Sequence, residues 1–151
     1  MSNNFAIDIS VWTKKAKGKI DKVVREIVLD VANSLIELSP VGNPDLWESK
    51  APKGYVGGRF AANWQYGNNV IGFPEGDLPD IDATGNASRE RIEKALPKEA
   101  AGLVHLLVNN LPYALRLEDG WSSQAPRGMV QLTVIMYQDK ARKIAERERG
   151  A

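Results

Sequence analysis

The strongest constraint on the fold is a long amphipathic helix near the start of the chain. Apolar residues recur there at spacings of three and four, which place them on one helical face: Ile20, Val23, Val24, Ile27, Val28, Val31, Leu35 and Leu38. The charged residues of this segment fall mostly on the opposite face. Ser39-Pro40 is a plausible stop, because a residue before proline avoids helical dihedral angles. The pattern predicts a helix over about residues 7–38.

The rest of the chain alternates between irregular and regular segments. Glycine, proline and acidic residues predict loops at about residues 40–58 and 74–86. Between and after them, the patterns predict a strand at 59–66, a return strand at 70–73, a helix at 87–101, a strand at 103–108 and a helix at 127–149. The first two strands would form a hairpin. The order predicts one α+β domain over residues 1–151, with a long N-terminal helix and a C-terminal helix packed on a small antiparallel sheet.

The amino-acid composition excludes most kinds of catalytic and metal-binding chemistry. The chain has no cysteine and a single histidine, His105. Thiol nucleophiles, disulfides and metal sites built from several histidines or cysteines are therefore excluded. His105 lies in an apolar run, where a partly buried histidine is a simpler interpretation than a catalytic base. Since phosphate-binding glycine loops and nucleophile elbows are also missing from the sequence, we expect no enzyme activity and no cofactor.

Charge and hydropathy narrow the choice of partners. The 20 basic and 19 acidic residues leave a formal net charge of +1. Attraction of the whole protein to nucleic acid or to an anionic membrane is therefore not expected. No apolar stretch approaches the ~20 residues that cross a bilayer, and no secretion signal is visible at the start. We expect a protein of the cytoplasm, or of a particle that assembles there.

The acidic loop resembles a calcium-binding loop in part. Asp80, Asp82 and Thr84 alternate, and Gly85 falls where such a loop turns sharply. The closing carboxylate of the loop should stand at position 91, but that residue is Arg91. A solvated acidic loop is therefore the favoured interpretation, and no metal is expected.

Basic residues in the first and last helices leave a DNA-binding alternative open. Five lysines cluster between residues 14 and 22, and Arg142, Lys143, Arg147 and Arg149 lie near the end. Acidic residues are interleaved in the tail and lie within and just after the lysine cluster. This mixture is typical of solvated helical faces with i,i+4 pairing. A small DNA-binding regulator remains the alternative from another class, although specific nucleic-acid binding is not the favoured interpretation.

Aromatic residues in irregular segments indicate subunit contacts. Trp47 and Trp121 stand in loop contexts, and Tyr55, Tyr113 and Met129 accompany them. Large aromatic groups in loops with few charges often anchor contacts between subunits. Packing within the fold is an equally good interpretation for the two tryptophans.

Two groups of segments resemble a recurring signature of tailed-bacteriophage neck and tail-completion proteins. The first group is Ser-Pro-Val at residues 39–41 and Gly-Gly-Arg-Phe-Ala-Ala-Asn-Trp-Gln at 57–65. The second is Asn-Asn-Leu-Pro-Tyr-Ala at 109–114, Leu-Glu-Asp-Gly at 117–120 and Ser-Ser-Gln-Ala-Pro-Arg-Gly-Met at 122–129. In order and spacing the resemblance covers about residues 20–140. The chain departs from the family by an insertion at residues 42–55.

The resemblance implies a structural protein of the virion at the head–tail junction or at the top of the tail. Such a protein acts as a subunit of a homo-oligomeric ring, often a hexamer, in tail completion and head–tail joining. Its neighbours are connector, terminator, tail-tube or sheath proteins, and it has no catalytic site. A tail terminator ring is the alternative within this class. The expected location is the virion, assembled in the cytoplasm of the bacterial host.

The resemblance and the loop composition together assign roles to individual residues. Gly57, Gly58 and Arg59 are expected to shape the entry to the hairpin, and Trp64 is expected to hold it on the first helix. The expected interface residues are Trp47, Tyr55, Tyr113, Glu118, Trp121 and Met129.

Overall fold

The first helix, α1, is the longest element of the fold. The computed structural model describes residues 2–70, 72 and 78–150, with side chains from residue 9 onward apart from residue 46. α1 spans Ser2–Glu37, so it begins earlier than predicted and ends next to the predicted stop. Four apolar residues near its C-terminal end are buried in the core: Val28, Ala32, Leu35 and Ile36.

The elements after α1 are short until the last helix. They are a 3-10 turn at Pro44–Leu46, α2 at Arg59–Ala62, β1 at Trp64–Asn68, α3 at Asn86–Ala95, β2 at His105–Asn109, α4 at Ala114–Glu118 and α5 at Val130–Gly150. The two strands form an antiparallel sheet. The predicted α+β class is therefore confirmed, with a long N-terminal helix, a C-terminal helix and a small antiparallel sheet.

The predicted hairpin is wrong, because β1 pairs with β2 rather than with the chain that follows it. Trp64 lies opposite Asn109, and Asn68 lies opposite His105. Residues 71 and 73 of the predicted return strand lie outside the described residues. All five residues of β1 are buried. β2 has three apolar residues at its centre, which suit a partner of a buried strand. The chain directly after β1 follows a glycine- and asparagine-rich sequence and suits that position less well.

The first half of the predicted strand at 59–66 is a helical turn. The N–H of Ala62 donates to the carbonyl of Gly58 at 3.0 Å, and that of Asn63 donates to Phe60 at 3.1 Å. Phe60, Ala61 and Ala62 are all buried, whereas a half-exposed strand would bury alternate residues. The apparent alternation over 59–66 therefore arose from two adjoining elements that are buried on both sides.

The two long helices pack side by side in antiparallel directions. Three ion pairs join them: Lys22 to Glu148, Glu26 to Arg147 and Asp30 to Lys140. Lys140 also donates to the hydroxyl of Ser34 at 2.9 Å. The C-terminal end of α5 thus lies beside residue 22 of α1, and the rest of α5 extends toward the C-terminal end of α1.

The core lies between the C-terminal half of α1, the sheet and α3. Trp64 and Tyr66 of β1 face Ile92 and Leu96 in and after α3, together with the α1 residues named above. Arg91 of α3 reaches back and donates to the carbonyls of Ala62 and Trp64 at 3.1 and 3.0 Å. This core fixes the positions from which the loops at 40–58 and 120–128 project.

Candidate functional site

One cavity brings together four of the six predicted interface residues. Trp47 and Tyr55 line it from the loop at 40–58, while Tyr113 and Trp121 line it from either side of α4. We call it the aromatic cavity. Its volume is about 630 Å3, which falls within the range of pockets that bind small ligands or anchor side chains. Two segments that are distant in the sequence therefore form a single surface feature.

One wall of the aromatic cavity is a pair of rings in the inserted segment. The ring centroids of Trp47 and Tyr55 are 4.7 Å apart and the rings are tilted by 58°, a geometry that aromatic pairs favour. The 3-10 turn before Trp47 is capped by Asn43, whose side chain accepts a hydrogen bond from Asp45 N at 3.0 Å. Both rings remain more than a third exposed. The insertion is therefore a folded part of the site that presents partly uncovered aromatic surface.

The opposite wall is formed by residues that flank α4. The rings of Tyr113 and Phe60 lie 6.1 Å apart, so Tyr113 packs on the core on one side. Trp121 is 74% exposed, and its ring centroid lies 5.2 Å from the guanidinium carbon of Arg116. A cation over an aromatic face holds the ring in place with little loss of exposure. Trp121 is thus an ordered and uncovered indole at the rim.

The two walls are joined through Gln124. Its side-chain amide bonds to the backbone of Val41 on the other side of the cavity. Among the lining residues that the structure describes, Arg59 is the one with a charged side chain. The aromatic cavity therefore suits an apolar or aromatic group.

Glu118, which is half-buried, and Met129, which is buried, meet at the start of α5. The carboxylate of Glu118 accepts hydrogen bonds at 2.9 Å from the N–H groups of Met129, Val130 and Gln131. These are donors at the start of α5, which have no partner within the helix. Met129 is 1% exposed, so it cannot contact another subunit in this conformation. The prediction of Met129 as a contact residue is wrong, because the packing of this loop depends on long-range contacts that the sequence does not show; for Glu118 the contact role stays a prediction.

Gly57 and Gly58 lie where the chain passes close to two other segments. A Cβ on Gly57 would stand 2.3 Å from the carbonyl oxygen of Gly42, and one on Gly58 would stand 2.3 Å from Ala83 N. Gly58 also has a φ of +107°, which residues with a side chain rarely adopt. Both glycines shape the entry to α2 and not, as predicted, to a hairpin.

Trp64 and Arg59 occupy different environments. Trp64 is buried, and its Nε1 donates to Ser39 Oγ at 2.8 Å. Trp64 therefore connects β1 to the end of α1, which agrees with the predicted contact although the hairpin is absent. Arg59 is exposed in α2 and lines the aromatic cavity.

The described acidic residues of the loop at 74–86 bond within the protein. Asp80 pairs with Arg91, so a guanidinium occupies the position where a calcium loop would supply its last ligand. Asp82 accepts hydrogen bonds from Thr84 and from Ala87 N at the start of α3. These bonds, the one from the Thr84 hydroxyl first, lower the pKa of Asp82 to about 2. The described residues contain no group of three potential metal ligands.

Several basic residues of the two long helices are paired with carboxylates. Lys17 contacts Glu99 at 2.6 Å. Lys22 bonds to Glu148, and this hydrogen bond is the main reason why the pKa of Glu148 is lowered. Such pairs reduce the positive charge that either helix could offer to phosphates.

His105 is held between two partners at the start of β2. Its Nδ1 lies 2.8 Å from the hydroxyl of Tyr66, and its Nε2 lies 3.0 Å from the carbonyl of Ala100. Because the carbonyl can only accept, Nε2 carries a proton and donates it there. Both ring nitrogens therefore have structural partners, and the ring connects β2 to β1 and to the segment after α3.

Sequence reasoning missed two apolar surfaces on the long helices. Near the start of α1, Ile9 and Trp12 are exposed, and the exposed fraction of Trp12 is 70%. In the first half of α5, Val134 and Ile135 are exposed. The apolar face predicted for the first helix began only at Ile20, and the pattern of the last helix predicted the helix without saying which of its residues are covered. Their exposure could not be predicted, since the periodicity does not reveal where one helix stops covering another.

Comparisons with known proteins assign no family to the chain. No helix among the described residues is long and apolar enough to span a membrane. Searches of protein-family models, of curated proteins and of solved structures find no match to the chain.

Proposed function

We propose that this chain is a structural virion protein of a tailed bacteriophage. It acts at the head–tail junction or at the top of the tail, as a subunit of a ring that completes the tail and joins it to the head. The observation that carries the proposal is the aromatic cavity, where Trp47, Tyr55, Tyr113 and Trp121 converge. Trp47 and Tyr55 come from the insertion, Tyr113 comes from a segment that resembles the neck and tail-completion signature, and Trp121 stands between two such segments.

The aromatic cavity has the properties of an anchor site for a neighbouring protein. Contact energies concentrate on a few aromatic side chains that are buried at the centre of an interface. Trp121 packs on Arg116, and Trp47 packs on Tyr55, within the subunit, so docking on these rings fixes fewer freely rotating side chains. Burial of a large aromatic side chain contributes roughly 1.5–3 kcal/mol. Three such groups could anchor a partner segment without any further chemistry.

The proposed role requires no catalytic group and no cofactor. The ring would contact further copies of the chain and neighbouring connector, terminator, tail-tube or sheath proteins. The partner segment at the cavity is expected to be apolar or aromatic. The ring number and the neighbours follow from the resemblance alone.

The test is complementation in a phage that encodes the chain. We expect deletion of the gene to yield DNA-filled heads and separate tails, and the wild-type gene to restore joined particles. The double variant Trp47→Ala/Trp121→Ala should restore few joined particles, because it removes one aromatic side chain from each wall of the aromatic cavity. Val104→Ala is the matched control, since Val104 is an exposed apolar residue beside β2 and not in the cavity.

Two outcomes would contradict the proposal. If the deletion phage still produces joined particles, the chain does not act in head–tail joining. If the double variant restores joining as well as the control does, the aromatic cavity is not the contact site. Localisation of the subunit in the intact particle separates a neck ring from a tail terminator, because a terminator touches the last ring of the tail tube.

A further inference from the structure

The antiparallel packing of α1 and α5 brings two basic segments of the chain together at one end of the helix pair. The ion pair of Lys22 with Glu148 joins the two helices there. The carboxylate of Asp21 accepts a hydrogen bond from Ala101 N at 2.8 Å, which attaches the segment after α3. We call the three segments together the basic end; they are residues 9–26, 97–101 and 141–150.

The basic end carries a large excess of positive charge, although the net charge of the chain is only +1. It contains eleven basic and five acidic residues, a net charge of +6. The other residues include nine basic and fourteen acidic ones, a net charge of −5. The near-neutral total therefore conceals two oppositely charged parts, and only the packing of α1 on α5 unites the positive one.

Seven basic residues of the basic end are exposed and have no ion-pair or hydrogen-bond partner among the residues that the structure describes; they are Lys14, Lys15, Lys19, Lys98, Arg142, Lys143 and Arg149. The other four are occupied. Lys17, Lys22 and Arg147 pair with carboxylates, and Arg25 donates to two backbone carbonyls. Four of the five carboxylates are bonded within the protein as well. The surface therefore offers positive charge to a partner.

Lysines of α1 form a row on this surface. Lys15 and Lys19 are four positions apart and Lys22 follows three positions later, so all three lie on one side of the helix. The row is about 10 Å long at 1.5 Å per residue. Lys98 lines the same shallow cavity as Lys22 and Arg25, so it extends the basic surface beyond α1.

A row of exposed lysines suits a polymer with regularly spaced negative charges. A DNA duplex carries one phosphate charge per about 1.7 Å of its axis, so 10 Å of duplex presents about six charges. Contacts to phosphates need no shaped pocket, because side chains reach them on the outside of the duplex. The release of condensed counterions supplies the driving force.

Two other acidic partners fit the basic end less well. A second copy of the chain would have to present its acidic part, but Asp80, Asp82 and Glu118 are bonded within their own subunit. A membrane surface requires apolar side chains beside the basic ones, which enter the lipid. Residues 141–150 hold three of the seven free basic residues and expose no large apolar side chain.

We propose that the basic end binds the phosphate backbone of duplex DNA without regard to sequence. The seven free basic residues contact the phosphates, and the paired ones hold the helices in place. Phosphate contacts position a duplex but read no base, so this role differs from that of a DNA-binding regulator. The inference goes beyond the proposed function and does not depend on it, since charge and pairing alone carry it.

The test is fluorescence anisotropy of short labelled duplexes with the purified full chain. We expect the logarithm of the binding constant to fall with the logarithm of the salt concentration at a slope of about −3.5 to −6, which corresponds to roughly four to seven neutralised phosphates. Affinity should therefore fall at least ~100-fold between about 50 and 200 mM salt. Two duplexes of unrelated sequence should bind within about threefold of each other.

A pair of double variants tests the surface itself. Lys15→Gln/Lys19→Gln removes two charges from the row, and each lost phosphate contact reduces the slope by about 1. We expect a reduction of about 2 in the slope and a loss of affinity of at least about tenfold at ~50 mM salt. Lys50→Gln/Lys53→Gln is the matched control, because it removes the same charge from two exposed lysines outside the basic end. Its affinity should stay within about twofold of the wild type.

Several results would overturn the proposal. Absence of duplex binding at ~50 mM salt, or an equal loss of affinity in the two double variants, would show that the basic end does not contact DNA. A preference above about tenfold for one duplex would indicate base contacts instead. Cosedimentation with vesicles of phosphatidylserine and phosphatidylcholine, without duplex binding, would assign the surface to a membrane. Joined particles from the deletion phage would refute the proposed function and leave this proposal unaffected.

Discussion

The side-chain amide of Gln124 forms two hydrogen bonds with the backbone of Val41. Gln124 Oε1 accepts from Val41 N at 3.0 Å, and Gln124 Nε2 donates to Val41 O at 2.8 Å. These two bonds resemble the pair of backbone hydrogen bonds between neighbouring β-strands, although here they join two loops. It holds the wall with Trp47 at a fixed distance from the wall with Trp121, so the aromatic cavity is already formed in the isolated subunit.

Replacement of Gln124 by alanine should loosen the cavity more than it destabilises the fold. Hydrogen bonds at exposed positions contribute about 1 kcal/mol, so the free energy of unfolding should fall by about that amount. Hydrogen exchange at the amide of Val41 should become faster, because its acceptor is lost. Gln138→Ala, on the exposed side of α5, is the control. Unchanged protection of Val41 in Gln124→Ala would show that the amide pair does not hold the loops.

Glu118→Ala should destabilise the protein through the start of α5. Three N–H groups of the helix terminus lose their acceptor, and loss of a cap costs about 1–2 kcal/mol. The measurement is the free energy of unfolding in urea. Glu118→Gln retains one acceptor oxygen and should lose less, while Glu146→Ala, exposed on α5, should change little. Equal stability of Glu118→Ala and Glu146→Ala would exclude the capping role.

Ser39→Ala should cost more than the loss of one ordinary hydroxyl. Ser39 Oγ accepts from Trp64 Nε1 and donates to Leu35 O at 2.7 Å. Its removal leaves a buried indole N–H without an acceptor, which costs about 1–3 kcal/mol. In a Trp64→Phe background the indole is absent, so Ser39→Ala should cost less there. A double-mutant cycle measures this coupling, and additivity of the two changes would contradict it.

The hydrogen bonds of Asp82 should give the protein an acid-sensitive increment of stability. The folded pKa of about 2 lies below the ordinary aspartate pKa of 3.8, so the carboxylate stabilises the folded state above pH 4. This contribution is lost as the pH falls from about 4 toward 2, because the unfolded state takes up the proton first. Unfolding in urea at pH 6, 4, 3 and 2 measures it. Asp82→Asn should flatten the profile between pH 4 and 2; a profile identical to the wild type would mean that another group titrates there.

Local signals in the sequence were sufficient to predict the two long helices. The spacing of Val28, Leu35 and their neighbours predicted α1, and Pro40 predicted its end. The segment at 59–62 was predicted as a strand because its residues alternate in size and polarity. Burial of three successive residues, Phe60 to Ala62, makes such alternation uninformative, and the helical turn begins at the positive φ of Gly58, which composition does not reveal.

The candidate site was predictable in its residues but not in its geometry. Trp47, Tyr55, Tyr113 and Trp121 are distinctive because they are aromatic groups in polar loops. That they face one cavity depends on the Gln124–Val41 contact across 83 positions of sequence, which no local pattern encodes. Glu118 was included because its segment resembles the family signature, although its carboxylate is used to cap α5.

The antiparallel seam between α1 and α5 also has a consequence during synthesis. α5 is the last of the described elements to leave the ribosome, and Arg147 follows its partner Glu26 by 121 positions. At ~5–20 residues per second, this delay is roughly 6–24 s. Throughout that interval the α1 face that α5 will cover is open to chaperones and to other nascent chains. Translation must therefore pass the end of α5 before the subunit acquires its final surface, so that chains truncated before α5 do not acquire it.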